Sequence, residues 1–372
     1  MRSKINKSGD LSFFKIEEFT QVFPWIGGDL QTIRDTFCFE FKLFKNAEKV
    51  FIPVNNIDSD KYTKDYLLGF LEFPNNSVPK GLVIVTHGLG GSTKRYGLRR
   101  ISKKLLDEGY IVFKLNLRGA GSGRYLSGSN YSAKCSKDII SVVSFLRNKF
   151  KEEKEAYRLN DKYFPIFGIG LSLGGTIFLN ACIDYKSKNT EKLFDGLACV
   201  SSPLDLLSCS QCIDKPRNFI YQKWLISRLK SQVLKSQNNN EDLITKDIFK
   251  RKLKKIKTIR EFDDTLTAPS WGYKSVNDYY KDASPLEKLI ISYEKLPVCL
   301  FIHAKDDPWV PYKSTLELKN LISENQNKIS ILITEKGGHN GFHSSKGCWS
   351  DNVVSQWINH KVNNLDQTKK FN

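Results

Sequence analysis

The chain has 372 residues, 40% of them hydrophobic, with 24 Phe, 15 Tyr and 6 Trp, which is enough for a large core and excludes a disordered polymer. Its net charge of +18 points toward anionic partners or simply toward a lysine-rich composition. The basic residues are spread along the chain and belong to no recognisable nucleic-acid module, so nucleic acid is not an expected partner.

No run of about 18 apolar residues occurs, and charged residues interrupt every short apolar group near the N-terminus. A cytoplasmic protein without signal peptide or membrane-crossing helix is therefore expected. Several of the eight Cys sit inside apolar runs, where a free thiol behaves as a small hydrophobe, in keeping with a reducing compartment. Cys209-Ser-Gln-Cys212 has redox or metal spacing, but no second pair accompanies it.

Residues 1–36 read as an extension, with turns at Pro24-Trp25 and Gly27-Gly28. Runs near 37–44, 49–54 and 66–73 predict antiparallel strands. From Gly81 the pattern changes, because Leu82–Thr86 is a continuous apolar run, as expected of a strand covered on both faces. Helix 96–108, strand 110–116, helix 136–150, strand 164–169, helix 174–185 and strand 196–201 follow. After a gap come strand 297–303, helix 313–324, strand 329–334 and helix 348–361. This alternation predicts an α/β protein with a mostly parallel central sheet and helices on both faces.

The segment 204–290 breaks the rhythm and reads as an inserted helical cap. The expected division is an extension (1–36), a first core part (37–203), the cap (204–290) and a second core part (291–372). Within the cap, Lys250-Arg251-Lys252-Leu253-Lys254-Lys255-Ile256-Lys257 is the densest charge run. Phe249, Leu253, Ile256 and Ile259 or Arg260 fall at helical spacing, predicting one basic amphipathic helix. The plainer reading is a lid helix resting on the sheet domain, and the sharper one is peripheral contact with an anionic membrane.

The strongest chemical signal is Gly170-Leu171-Ser172-Leu173-Gly174, between a predicted strand and a predicted helix. Small residues on either side let Ser172 sit in a tight turn that projects its hydroxyl above the sheet edge. Gly168, Gly170 and Gly174 could instead suggest a dinucleotide turn, but the next strand ends Ser201-Ser202-Pro203 with no acid for a ribose. No cofactor or metal is expected.

A serine hydroxyl needs a base to take its proton. His339, in Lys336-Gly-Gly-His339, lies beyond the last predicted strand, where flanking glycines can swing the imidazole toward Ser172. His343 is the fallback, and His360 lies on the last helix. The acid should follow strand 297–303, where Asp306 and Asp307 compete; Asp307 is favoured because Pro311 follows at the usual distance, and Asp306 remains the alternative. Two amides should bind the oxyanion: Leu173, after the serine, and Leu89 in His87-Gly-Leu89-Gly-Gly-Ser92, with Gly88 second. His87 precedes the serine and reads as a structural hydrogen-bonding residue.

These strings resemble the YheT-like α/β-hydrolases. Pro24-Trp25 with Leu30-Gln31-Thr32-Ile33, His87-Gly-Leu-Gly-Gly-Ser92 and Asn116-Leu-Arg118-Gly119 match in order. So do Glu261-Phe-Asp-Asp264, Gly272-Tyr273, Asp278-Tyr279-Tyr280, Asp306-Asp307-Pro308 and Gly337-Gly-His339. Asp29 departs from the family pattern, which has His there. The resemblance implies hydrolysis of short- or medium-chain or lipid esters through an acyl-enzyme on Ser172. Acyl transfer to an alcohol with the same residues is the alternative, and a non-catalytic binding protein on this fold is the remote one.

Overall fold

Leu82–Thr86 is buried at every residue, because helices cover both faces of the sheet to which it belongs. A computed structural model of the chain describes residues 2–3, 5–8, 16–37, 47–55, 65–75, 78–155, 157, 163–186, 191–236, 243–322 and 328–368. Among these residues nine strands form one sheet. They are β1 (Ile5–Ser8), β2 (Glu48–Val54), β3 (Asp65–Glu72), β4 (Leu82–Thr86), β5 (Ile111–Leu115), β6 (Ile166–Leu171), β7 (Gly196–Val200), β8 (Val298–Ala304) and β9 (Ile329–Thr334). Their spatial order is β1-β9-β8-β7-β6-β4-β5-β3-β2. From β9 to β5 all neighbours are parallel, while β1 and the β2–β3 pair join antiparallel at the two edges.

Parallel neighbours need crossover connections, and helices supply them. Before β7 these are α2 (Tyr96–Asp107), α3 (Ser136–Glu152) and α4 (Leu173–Lys186), while α1 (Gly28–Ile33) lies in the chain between the two edge strands β1 and β2. Between β7 and β8 no described residue joins the sheet. That stretch carries α5 (Leu206–Ile213), α6 (Phe219–Ser236), α7 (Leu243–Lys255), α8 (Ile259–Phe262), α9 (Ala268–Ser270), α10 (Val276–Ala283) and α11 (Leu286–Ser292). The chain then returns through α12 (Lys313–Leu321) and closes with α13 (Trp349–Thr368).

Val142 and Leu146 of α3, Phe178 of α4 and Leu318 of α12 fill the core on one face. Leu98, Ile101 and Leu105 of α2 meet Val353 and Trp357 of α13 on the other. Along β7, Leu197 and Cys199 join the first core, and Ala198 and Val200 the second. Alternate side chains point to opposite faces, so two covered faces demand a continuous apolar run. The result is an α/β-hydrolase fold with an inserted helical segment.

Two parts of the chain differ from the simple reading. Part of the 1–36 segment is built into the domain: β1 pairs with β9, and α1 lies against the loop that follows β9. The expected strand near 37–44 falls almost wholly outside the described residues. The basic stretch around 250–260 is not one helix. α7 stops at Lys255 and α8 starts at Ile259. Thr258 caps α8 by accepting from Glu261 N, while Glu261 reaches back to the Thr258 amide. This capping box satisfies amides that a continuous helix would have bonded internally. Leu253, Ile256 and Ile259 are buried with Leu225, Ile226 and Leu229 of α6, so the apolar stripe faces the protein and the Lys and Arg side chains face solvent.

Candidate active site

Ser172 occupies the single residue between β6 and α4, with φ of 55°. That left-handed conformation is costly for an L-residue and persists only where the surroundings enforce it. Here Ser172 N donates to Val200 O at 2.8 Å, and Gly175 N donates back to Ser172 O at 3.0 Å. The turn is too tight for side chains around it: a Cβ on Gly170 would lie 2.2 Å from backbone atoms of Gly175, and one on Gly88 would lie 2.7 Å from Ser172 Cβ.

The structure brings His339 and Asp307 to this serine. His339 Nε2 lies 2.9 Å from Ser172 Oγ, and His339 Nδ1 lies 2.8 Å from Asp307 Oδ2. With the carboxylate ionised, Nδ1 carries the proton and Nε2 is left to accept from the serine hydroxyl. Asp307 Oδ1 accepts the amides of Trp309 and Val310 at 2.8 and 2.9 Å. Burial opposes charge on Asp307, but the His339 and His303 rings and the Val310 amide outweigh it and hold the carboxyl below its usual value.

Asp306 faces elsewhere. Its Oδ1 accepts from Gly338 N at 2.9 Å, and burial raises its carboxyl. His343 is turned away from Ser172, with Nε2 3.1 Å from Asp35 Oδ1 and Nδ1 3.1 Å from Arg34. His360 is on α13 beside Asn364. His87 Nε2 accepts from Leu117 N at 3.3 Å, which leaves Nδ1–H to donate to Gly88 O at 2.8 Å. Burial pushes the His87 imidazole down to about 4, so it stays neutral.

Several residues around this arrangement have no role assigned from the sequence, although Asp29, Gln31 and Thr32 lie in or beside a string that resembles the family. His303, on β8, has Nε2 3.7 Å from Asp307 Oδ2 and is itself held by Thr315 and Val310. The Trp309 ring lies against the His339 ring with centroids 4.5 Å apart. Thr32 Oγ1 accepts the His339 amide at 2.8 Å. Gln31 accepts from His343 N and donates to His343 O, fixing both sides of the loop. Asp29 bonds Arg217 and Tyr221, each at 3.0 Å, and so ties α1 to the inserted helices.

Leu173 is the first residue of α4, where an amide has no partner within the helix. Leu89 sits in a turn closed by Gly91 N to Gly88 O at 3.1 Å, and Tyr131 Oη accepts from Gly90 N at 2.7 Å. Neither the Leu89 nor the Leu173 amide donates to another group among the described residues. Ser172, His339, Leu89 and Leu173 all line one cavity of about 930 Å³. Leu225, Leu229, Val233, Phe249 and Leu266 of the inserted segment form much of its apolar wall. The arrangement can take the serine proton, hold the resulting imidazolium beside a carboxylate and offer two amides to a nearby oxyanion. Among the described residues no group of His, Cys, Asp and Glu is arranged to hold a metal ion. Cys209 and Cys212 are both free thiols on α5.

A serine on a strand–helix turn, facing loops that follow two later strands of a mainly parallel sheet, defines the α/β-hydrolase class. The chain belongs to the serine aminopeptidase S33 family, whose model matches residues 77–343. It is 30% identical over 312 residues to an abhydrolase domain-containing protein of Dictyostelium discoideum, covering 82% of this chain and 72% of that one. It is 27% identical over 295 residues to the putative esterase YheT of Escherichia coli strain K12, covering 78% and 80%. Against phospholipase ABHD3 of Bos taurus the identity is 25% over 324 residues, covering 85% and 70%. The resemblance to YheT-like hydrolases therefore holds, and the family has esterase and lipase members.

Proposed function

We propose that this chain is a serine carboxylesterase acting on small or lipid esters. The observation that carries the reading is the Ser172–His339–Asp307 hydrogen-bond chain opening into a largely apolar cavity. Ser172 Oγ attacks the ester carbonyl as its proton passes to His339 Nε2. Asp307 keeps the imidazole oriented and offsets its charge. The Leu173 and Leu89 amides hold the oxyanion until the alcohol leaves with the proton from His339. Water, deprotonated by the same ring, then releases the acid. Residues 204–290 act as a cap that shapes the acyl pocket. Relatives named as an esterase and a phospholipase support ester substrates.

No helix among the described residues is long and apolar enough to cross a membrane. The exposed Lys and Arg face of α7 supports peripheral contact with an anionic surface, and the seven free thiols among the described residues support a cytoplasmic setting. Cosedimentation with anionic and neutral vesicles tests the contact.

The deciding experiment combines turnover of 4-nitrophenyl esters with labelling by a fluorophosphonate. Adduct at Ser172 and loss of turnover in Ser172→Ala are expected. Ester cleavage surviving in that variant, or turnover of 4-nitroanilides without esters, would overturn the reading. Added glycerol separates the acceptors, since only transfer yields a new ester.

A further inference from the structure

Two guanidiniums without a carboxylate pack against Trp224, whose side chain lines the cavity. Arg95, the residue before α2, lines the same cavity as Ser172. Arg228, on α6, donates from Nε to Gly90 O at 3.0 Å, across the turn that carries Leu89. Their guanidinium carbons lie 4.9 and 5.2 Å from the centre of the Trp224 ring. Contact with the ring face orients both cations but does not neutralise them.

Two arginines elsewhere in the domain are paired with carboxylates. Arg100 meets Asp35 and Asp351, and Arg118 meets Asp65 and Asp138. Among the described residues no Asp or Glu pairs with Arg95 or Arg228. Both are half-buried. Burial, together with repulsion from Arg228, pushes the Arg95 guanidinium down to about 10, and burial lowers Arg228 as well. Two partly desolvated like charges that repel each other destabilise the unliganded protein, and an anion within reach of both offsets that cost. The guanidinium fork matches the paired oxygens of phosphate and carboxylate.

We propose that Arg95 and Arg228 form a subsite for an oxyanion of the phosphate or carboxylate class, carried on the ester substrate itself. The subsite lies beside the turn that presents the Leu89 amide, and the Arg228–Gly90 bond links the two. Selection of charged over neutral esters follows from it. This inference rests on the ester-hydrolase reading above and adds the charge of the preferred substrate.

The test compares 1-decanoylglycerol with 1-decanoylglycerol 3-phosphate for the wild type, Arg95→Gln, Arg228→Gln and the double variant. The wild type should prefer the phosphorylated ester, and the ratio of kcat/KM values should fall about 10- to 100-fold in the double variant. Lys94→Gln removes an exposed charge one residue away and should leave the ratio as it is. An unchanged ratio in the double variant, or an equal fall in Lys94→Gln, overturns the subsite. Inhibition by inorganic phosphate without preference for the phosphorylated ester would mark a free-anion site and also overturn it. Should neither ester be turned over, the hydrolase reading fails by itself. The subsite is then judged by the Kd of the phosphorylated ester for Ser172→Ala, with and without Arg95→Gln, and an equal Kd sinks it.

Discussion

The backbone amide of His339 donates to Thr32 Oγ1 at 2.8 Å across 307 residues of sequence. Thr32 Oγ1 in turn donates to Gly28 O at 2.6 Å, so α1 sets the height of the imidazole above Ser172. Thr32→Val keeps the shape but leaves a buried amide without an acceptor, at a cost of about 1–3 kcal/mol. A roughly 10-fold lower kcat and a lower urea midpoint are expected. A variant with wild-type kcat would show that α1 does not position the ring.

Asp306 and Asp307 are neighbours in the chain and differ in what they face. Only Asp307 reaches the His339 ring, while Asp306 binds Gly338 N. Asp307→Asn should lower kcat by about 10⁴, because the amide no longer favours the Nδ1–H tautomer. Asp306→Asn should cost less than about 10-fold, since it keeps an oxygen for one neutral hydrogen bond. Steady-state kinetics on one soluble ester decides the matter, and the reverse ranking would reassign the acid.

Ser172 stores backbone strain at φ of 55°. Ser172→Gly removes the Cβ that makes this conformation costly, whereas Ser172→Ala keeps it. Both should be inactive, and the Gly variant should be more stable than the Ala variant by about 1 kcal/mol. Thermal melts at pH 7 read the difference. Equal melting temperatures would mean that the turn carries no strain.

Burial holds the His87 imidazole at about 4, against about 6.5 in an unfolded chain. The unfolded state therefore binds more protons between these values. The stability that comes from keeping His87 neutral is complete above about 6.5 and is lost as the pH falls toward 4. Burial shifts His303 and His343 the same way. Asp307 is lowered instead, so its contribution is lost only as the pH falls through its depressed value, below about 4. Unfolding free energy should drop between pH 7 and 4.5, and His87→Gln should make that drop shallower. Urea titrations at several pH values check the slope, and a parallel drop in the variant would remove His87 from the account.

Much of the framework is legible in the sequence because its signals are local. Strands covered on both faces must be apolar at successive positions, so Leu82–Thr86 and Ile329–Thr334 announce themselves. The tight turn around Ser172 demands Gly170 and Gly174, and a positive-φ residue before His339 demands Gly338. The start of α8 is legible too, since Thr258 and Glu261 have capping-box spacing, but the regular apolar stripe across it predicts a continuous helix instead. Residues 1–36 look peripheral because their partners, β9 and the His339 loop, lie some 300 residues away.

What the sequence by itself determined is the order of strands and helices, the class of the fold and the residue types available for acyl chemistry. Only the tertiary structure decided which of two adjacent carboxylates faces the imidazole, that Thr32 carries its loop, that Trp309 covers the ring, and that Arg95 and Arg228 meet at Trp224. The physical reason is range. Backbone propensity and apolar periodicity act within a few residues and are written in contiguous letters. The direction of a side chain in a loop is set by packing against segments far away in the chain, and no local pattern records it.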